Sequence, residues 1–113
     1  MPKRFKQVLH DNISAPAVGT EIELIRMFIG TAEIMVEVKT DSTSYDMTFE
    51  VKGPSGDWYP IAVYEIATAA LQPTYTNAVS SIYSVTPVGA DFFRLNVGSL
   101  GNGTLTAEAV VTV

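Results

Sequence analysis

A chain of 113 residues with a net charge of −5 and no cysteine is expected to form one domain, held together without a disulfide or a thiolate zinc site. At 12.2 kDa it should leave about 6,000 Å² exposed and bury roughly two-thirds of its unfolded surface, enough for a core of its own. The acidic balance sharpens to −8 over residues 7–113, because Lys3, Arg4 and Lys6 stand at the start, and a body that acidic repels phosphate backbones and argues against nucleic acid as a partner.

From the N-terminus, residues 1–18 read as an arm and first strand, with "KQVLH" as its β-prone part, and residues 19–113 as the body of a β-sandwich. Lys3, Arg4 and Lys6 are a candidate docking arm for an acidic partner, set against the plainer reading of a solvated terminus. No apolar run of seven residues follows the basic start, so a secretory signal peptide is not expected. No segment approaches the roughly 18 apolar residues of a membrane span. His10 is the single histidine, and a catalytic triad would have to run through it close to the chain end, so its expected role is structural or solvent-facing.

The segment "TEIELIRMFIG" changes phase midway, with Ile22 and Leu24 on one face and Ile25, Met27 and Ile29 on the other, and is expected to hold a bulge. Glu21 and Glu23, about 7 Å apart along a strand, fall within the spacing of an inverting glycosidase pair, but exposed acids on one strand face ordinarily only solvate it.

Alternation is clearest in the middle of the chain. In "TAEIMVEVK", Ile34, Val36 and Val38 share one face and Glu33, Glu37 and Lys39 the other; in "SYDMTFEVKG", Tyr45, Met47, Phe49 and Val51 oppose Asp46, Thr48, Glu50 and Lys52. "GPSGD" is expected to close a hairpin from this strand onto "WYPIAVY", with Trp58 and Tyr64 as core plugs and Pro60 marking an edge or bulge. Only "EIATAALQP" invites a helical turn. After a weaker strand in "NAVSSIYSV" come "DFFRLNV" and "TLTAEAVVTV", joined by Gly101-Asn102-Gly103, the strongest hairpin signal in the chain. About eight short strands with Gly, Pro, Ser and Asn turns predict an all-β, single-domain antiparallel β-sandwich, immunoglobulin-like or jelly-roll-like.

No calcium-loop spacing and no phosphate-cradling glycine motif occurs, and no catalytic, cofactor-binding or metal-ligating residues are assigned. Trp58 and Tyr59 are a candidate aromatic binding surface for sugars, since ring faces stack on apolar sugar planes. The last strand carries apolar residues on both faces around Ala109, Val110 and Val111, which fits burial between layers or a partner surface.

Three stretches taken together resemble small β-sandwich proteins among the virion structural and accessory proteins of tailed bacteriophages and prophages. They are "QVLHDNISAPAVGTEIEL", "MTFEVKGPSGDWYPI" and "GADFFRLNVGSLGNGTLTAEAVVTV". The resemblance spans nearly the whole chain through turn and core residues, and departs from the commonest form at "GPSGDW" and in the insert "YEIATAALQPTYT". It implies a non-enzymatic virion protein made in the host cytoplasm, a capsid decoration or accessory protein that binds other capsid or tail proteins and forms a homo-oligomer, without nucleic acid or membrane. The alternative it leaves is a carbohydrate-binding or adhesion module.

Overall fold

Alternating apolar and polar residues make strands because successive side chains of an extended chain point to opposite faces. The computed structural model describes residues 4–24, 33–76, 80–86 and 90–112. Among them lie eleven strands: β1 (Arg4–Ile13), β2 (Ile22–Glu23), β3 (Glu33–Thr40), β4 (Ser44–Lys52), β5 (Trp58–Pro60), β6 (Val63–Glu65), β7 (Ala70–Gln72), β8 (Thr74–Thr76), β9 (Ser81–Val85), β10 (Phe92–Gly101) and β11 (Leu105–Thr112). They form two antiparallel sheets, one ordered β1-β11-β3-β9-β6-β7 and the other β2-β10-β4-β5, with β8 also on β4. The result is the expected all-β sandwich.

The inward rows are those the alternation marked: Ile34, Val36 and Val38 from β3, Tyr45, Met47 and Phe49 from β4, Phe93, Leu95 and Val97 from β10, and Leu105, Ala107, Ala109 and Val111 from β11, all buried. Phe49 is the hub. Its ring centre lies 5.2 Å from that of Tyr83 and 6.2 Å from those of Tyr75 and Phe93. The folded chain exposes 6411 Å², close to the area its mass predicts.

"GPSGD" does close the β4–β5 hairpin: Lys52 pairs with Trp58 and Glu50 with Pro60, and the Gly56 amide donates to the Gly53 carbonyl at 3.0 Å. Pro54 takes the second position of that turn, and Gly56, at φ 89°, supplies a left-handed residue that an L side chain would strain. β5 is an edge strand, so Pro60, with no amide to donate, costs the ladder nothing.

Three local expectations are corrected. Gly101-Asn102-Gly103 does not close a hairpin: β10 pairs with β4 and β2, β11 with β1 and β3, so this turn arches from one sheet to the other. The backbone freedom is used all the same, because Asn102 stands at φ 53° and a Cβ on Gly103 would meet Asp41 Oδ1 at 2.5 Å and the Ser42 amide at 2.8 Å. "WYPIAVY" is not one strand, since β5 lies in the smaller sheet and β6 in the larger. The helical turn at "EIATAALQP" shrinks to one hydrogen bond of helical span, Ala69 amide to Glu65 carbonyl at 2.9 Å, inside the β6–β7 hairpin. The bulge expected after Leu24 falls outside the described residues.

Candidate functional site

On the outer face of the smaller sheet, Trp58 is half-buried and not a core plug. It pairs with Lys52, whose parity on β4 is opposite to that of Phe49, so the ring must leave the sheet on the solvent side. There the Arg94 guanidinium lies 4.1 Å from the Trp58 ring centre, while its Nε donates to Glu50 Oε1 at 2.7 Å. The Lys52 ammonium sits 5.1 Å from the Phe92 ring and 5.7 Å from Trp58. Edge strand β5 is thus clasped to β10 across β4. Removing the clasp with Arg94→Ala is expected to cost about 1–2 kcal/mol and to shift Trp58 emission to longer wavelength; unchanged emission and an unchanged melting temperature would contradict the stack.

Tyr59 pairs with Val51 and is 53% exposed. Its ring leaves the strand on the side opposite to Trp58, so the two aromatics do not form one platform. Tyr64, the other expected plug, is exposed on the larger sheet. Arg4 and Lys6 lie within β1, paired with Thr112 and Val110 of β11, with their side chains exposed; Lys3 lies outside the described residues. Glu21 and Glu23 are both exposed.

The larger sheet has a different outer face. Across it, Lys6, Val110, Met35 and Ser84 fall in one row, and Val8, Glu108, Glu37 and Ile82 in the next. Three adjoining depressions of about 370, 320 and 190 Å³ run along β3, floored by Met35, Val110, Ile66 and Ile82. Val110 was legible as an outward apolar residue. The signal for Met35 and Ile82 is the same: each is an apolar side chain on the polar phase of its strand, Met35 between Glu33 and Glu37, Ile82 in step with Ser84.

Two polar groups lie inside the sandwich. His10 is buried, and its Nε2 donates to the Leu95 carbonyl at 2.6 Å. Burial pushes its pKa below the ordinary imidazole value, and the bond to Leu95 offsets this in part. Glu65 is buried at the β6–β7 end, where Thr68 Oγ1 donates to Glu65 Oε1 at 2.6 Å. Around it Tyr45, Tyr75 and Tyr83 have pKa values raised, first by burial, then by neighbours that include the Glu65 charge. The Tyr75 hydroxyl donates to the Val63 carbonyl at 2.5 Å. The Tyr83 hydroxyl is buried without a hydrogen-bond partner among the described residues, and phenols held neutral in this way are not bases at neutral pH. Among the described residues no group of His, Asp and Glu side chains is arranged to hold a metal ion.

These features define a two-layer antiparallel sandwich with an apolar, charge-rimmed groove on its larger sheet. Two solved structures share that fold. The SPBc2 prophage-derived protein YomS superposes with a TM-score of 0.87 at 17% identity, over 100% of this chain and 96% of that one. The PBSX exported protein XepA superposes with a TM-score of 0.89 at 20% identity, over 99% of this chain and 38% of that one, so the chain spans about two-fifths of XepA. At such identities the likeness is one of fold. No protein-family model matches the chain, and no curated protein sequence matches it.

Proposed function

We propose that the chain is a non-enzymatic structural protein of a phage or prophage particle, a capsid decoration or accessory protein that acts as a homo-oligomer and binds other virion proteins. The observation that carries this reading is the end-to-end likeness in fold to two proteins of prophage origin. The groove supports it, since a large apolar surface with a polar rim is what a protein contact uses. The carbohydrate alternative has less behind it, because Arg94 occupies one face of the Trp58 ring and Tyr59 points the other way.

The purified chain is expected to bind at least one capsid or tail protein encoded beside its gene with micromolar affinity or better, measured by calorimetry. Failure to bind any of them would remove the virion reading. Quenching of Trp58 fluorescence by a glycan would promote the alternative.

A further inference from the structure

We infer that the outer face of the six-stranded sheet is where a second copy of this chain docks, with Met35 and Val110 at the centre of the contact. The inference deepens the virion reading, which supplies the reason for copies to meet.

Three observations carry it. First, exposed apolar bulk is concentrated there: of nine large hydrophobics that stand exposed among the described residues, Val8, Met35, Tyr64, Ile66, Leu71 and Ile82 belong to this face or its rim, with Leu71 at 65% exposure. Apolar surface gathered in one place marks an interaction site, whereas scattered residues do not.

Second, the charges suit a contact of like with like. Among the described residues the groove is lined by Arg4, Lys6 and Lys39 against Glu33, Glu37 and Glu108, three of each sign, so these charges balance although the chain as a whole carries −5. A symmetric contact sets a patch against itself, and only a patch without net charge escapes self-repulsion. Glu37 and Glu108 also stand directly opposite each other on neighbouring strands, an unfavourable like-charge pair. A cation brought in by a second copy would relieve it, and the groove carries Lys6 and Lys39 to do so.

Third, the area suffices. Strands of 10, 8, 8, 5, 3 and 3 residues cover about 600 Å² in plan at standard rise and spacing. Side-chain relief carries the accessible area toward the roughly 800 Å² that each partner contributes to a stable interface.

The test is the solution mass of the full chain by sedimentation equilibrium, with Met35→Asp and Ile82→Asp in the groove and Thr48→Asp on the outer face of the smaller sheet. The wild type is expected to show a multiple of 12.2 kDa, each groove variant to weaken self-association at least about tenfold, and Thr48→Asp to leave it unchanged. A single-chain mass for the wild type up to about 100 μM, an unchanged constant in the groove variants, or equal loss in Thr48→Asp would each overturn the inference.

Should an aspartate disturb folding, the cysteine-free sequence offers a second measurement. The thiol of Met35→Cys should be labelled more slowly as protein concentration rises, and that of Thr48→Cys should not; equal rates at all concentrations would overturn the inference too. These measurements use the chain alone, so a monomeric result leaves virion binding standing, and failure to bind virion proteins leaves the mass result standing.

Discussion

Phe49→Ala is expected to destabilise the protein by about 3–5 kcal/mol, the range for truncating a core phenylalanine. Phe49 is fully buried and touches rings from three other strands: Tyr75 of β8, Tyr83 of β9 and Phe93 of β10. It therefore holds β8 and β10, its own sheet neighbours, against a strand of the opposite sheet. The cavity could close only by moving both sheets, and neither is free to move. β4 is pinned on one side by β10 and on the other by β5 and β8, while β9 is pinned between β3 and β6.

A domain of this size has about 5–15 kcal/mol of stability in all, so the loss is a large share of it. At roughly 4 °C per kcal/mol the melting temperature should fall by about 12–20 °C. Phe49→Leu, which leaves a smaller void, should fall between the two. A loss under about 1 kcal/mol in Phe49→Ala would show that the three remaining rings repack without their hub.

The rows that make this core were readable because period-two alternation reports which residues share a face. Phe49, Phe93 and Val36 all follow from it. Alternation does not report which sheet a strand joins, and that is where the reading from sequence parted from the fold. "WYPIAVY" is apolar on both faces and holds no polar residue to mark a break, yet the chain crosses between sheets at Ile61 and Ala62, so Trp58 and Tyr64 end on two different solvent faces. A positive-φ turn such as Gly101-Asn102-Gly103 likewise suits a hairpin or a sheet-to-sheet arch. What decides between them is the long-range pairing of Gly101 with Ser44 and of Leu105 with Thr40, which no local pattern contains.

The groove was half legible for a related reason. Val110 breaks the polar phase of its strand beside other apolar residues and is conspicuous, whereas Met35 and Ile82 are single exceptions. They become a surface only when β3, β9 and β11 lie side by side.

Gly19→Ala is the second substitution expected to cost heavily, about 2–5 kcal/mol, and its reason lies with His10. Phe49 gives its amide and carbonyl to the β5 and β8 side, donating to Pro73 and accepting from Ile61. Its partner Leu95 therefore turns its own carbonyl to the other side of β10. There β2 pairs only with Phe92 and Phe93, and the chain next returns as the Ala17–Val97 bridge. The Leu95 carbonyl falls in the gap, and the imidazole of His10, reaching across from the other sheet, takes the place of the missing strand.

Gly19 passes against that ring at φ 79°. A Cβ there would meet His10 Nε2 at 2.6 Å, Cε1 at 2.7 Å and the Leu9 carbonyl at 2.9 Å. Alanine thus incurs the left-handed penalty of about 1–2 kcal/mol. By displacing the ring, it also leaves a buried carbonyl unpaired, for about 1–3 kcal/mol more.

The pH dependence separates this account from simple strain. Because burial holds the His10 pKa below its ordinary value of 6.5, the unfolded chain binds the proton first. The stability carried by the neutral ring is full above pH 6.5 and is lost as pH falls through the lower folded value. In Gly19→Ala the ring is displaced toward solvent and titrates alike in both states, so that loss disappears. The gap in unfolding free energy between wild type and variant, measured by urea denaturation, should therefore be widest near neutral pH and should narrow as the wild-type ring is protonated below pH 6.5. A gap that stays constant through that acid range would mean that Gly19 acts through backbone strain alone.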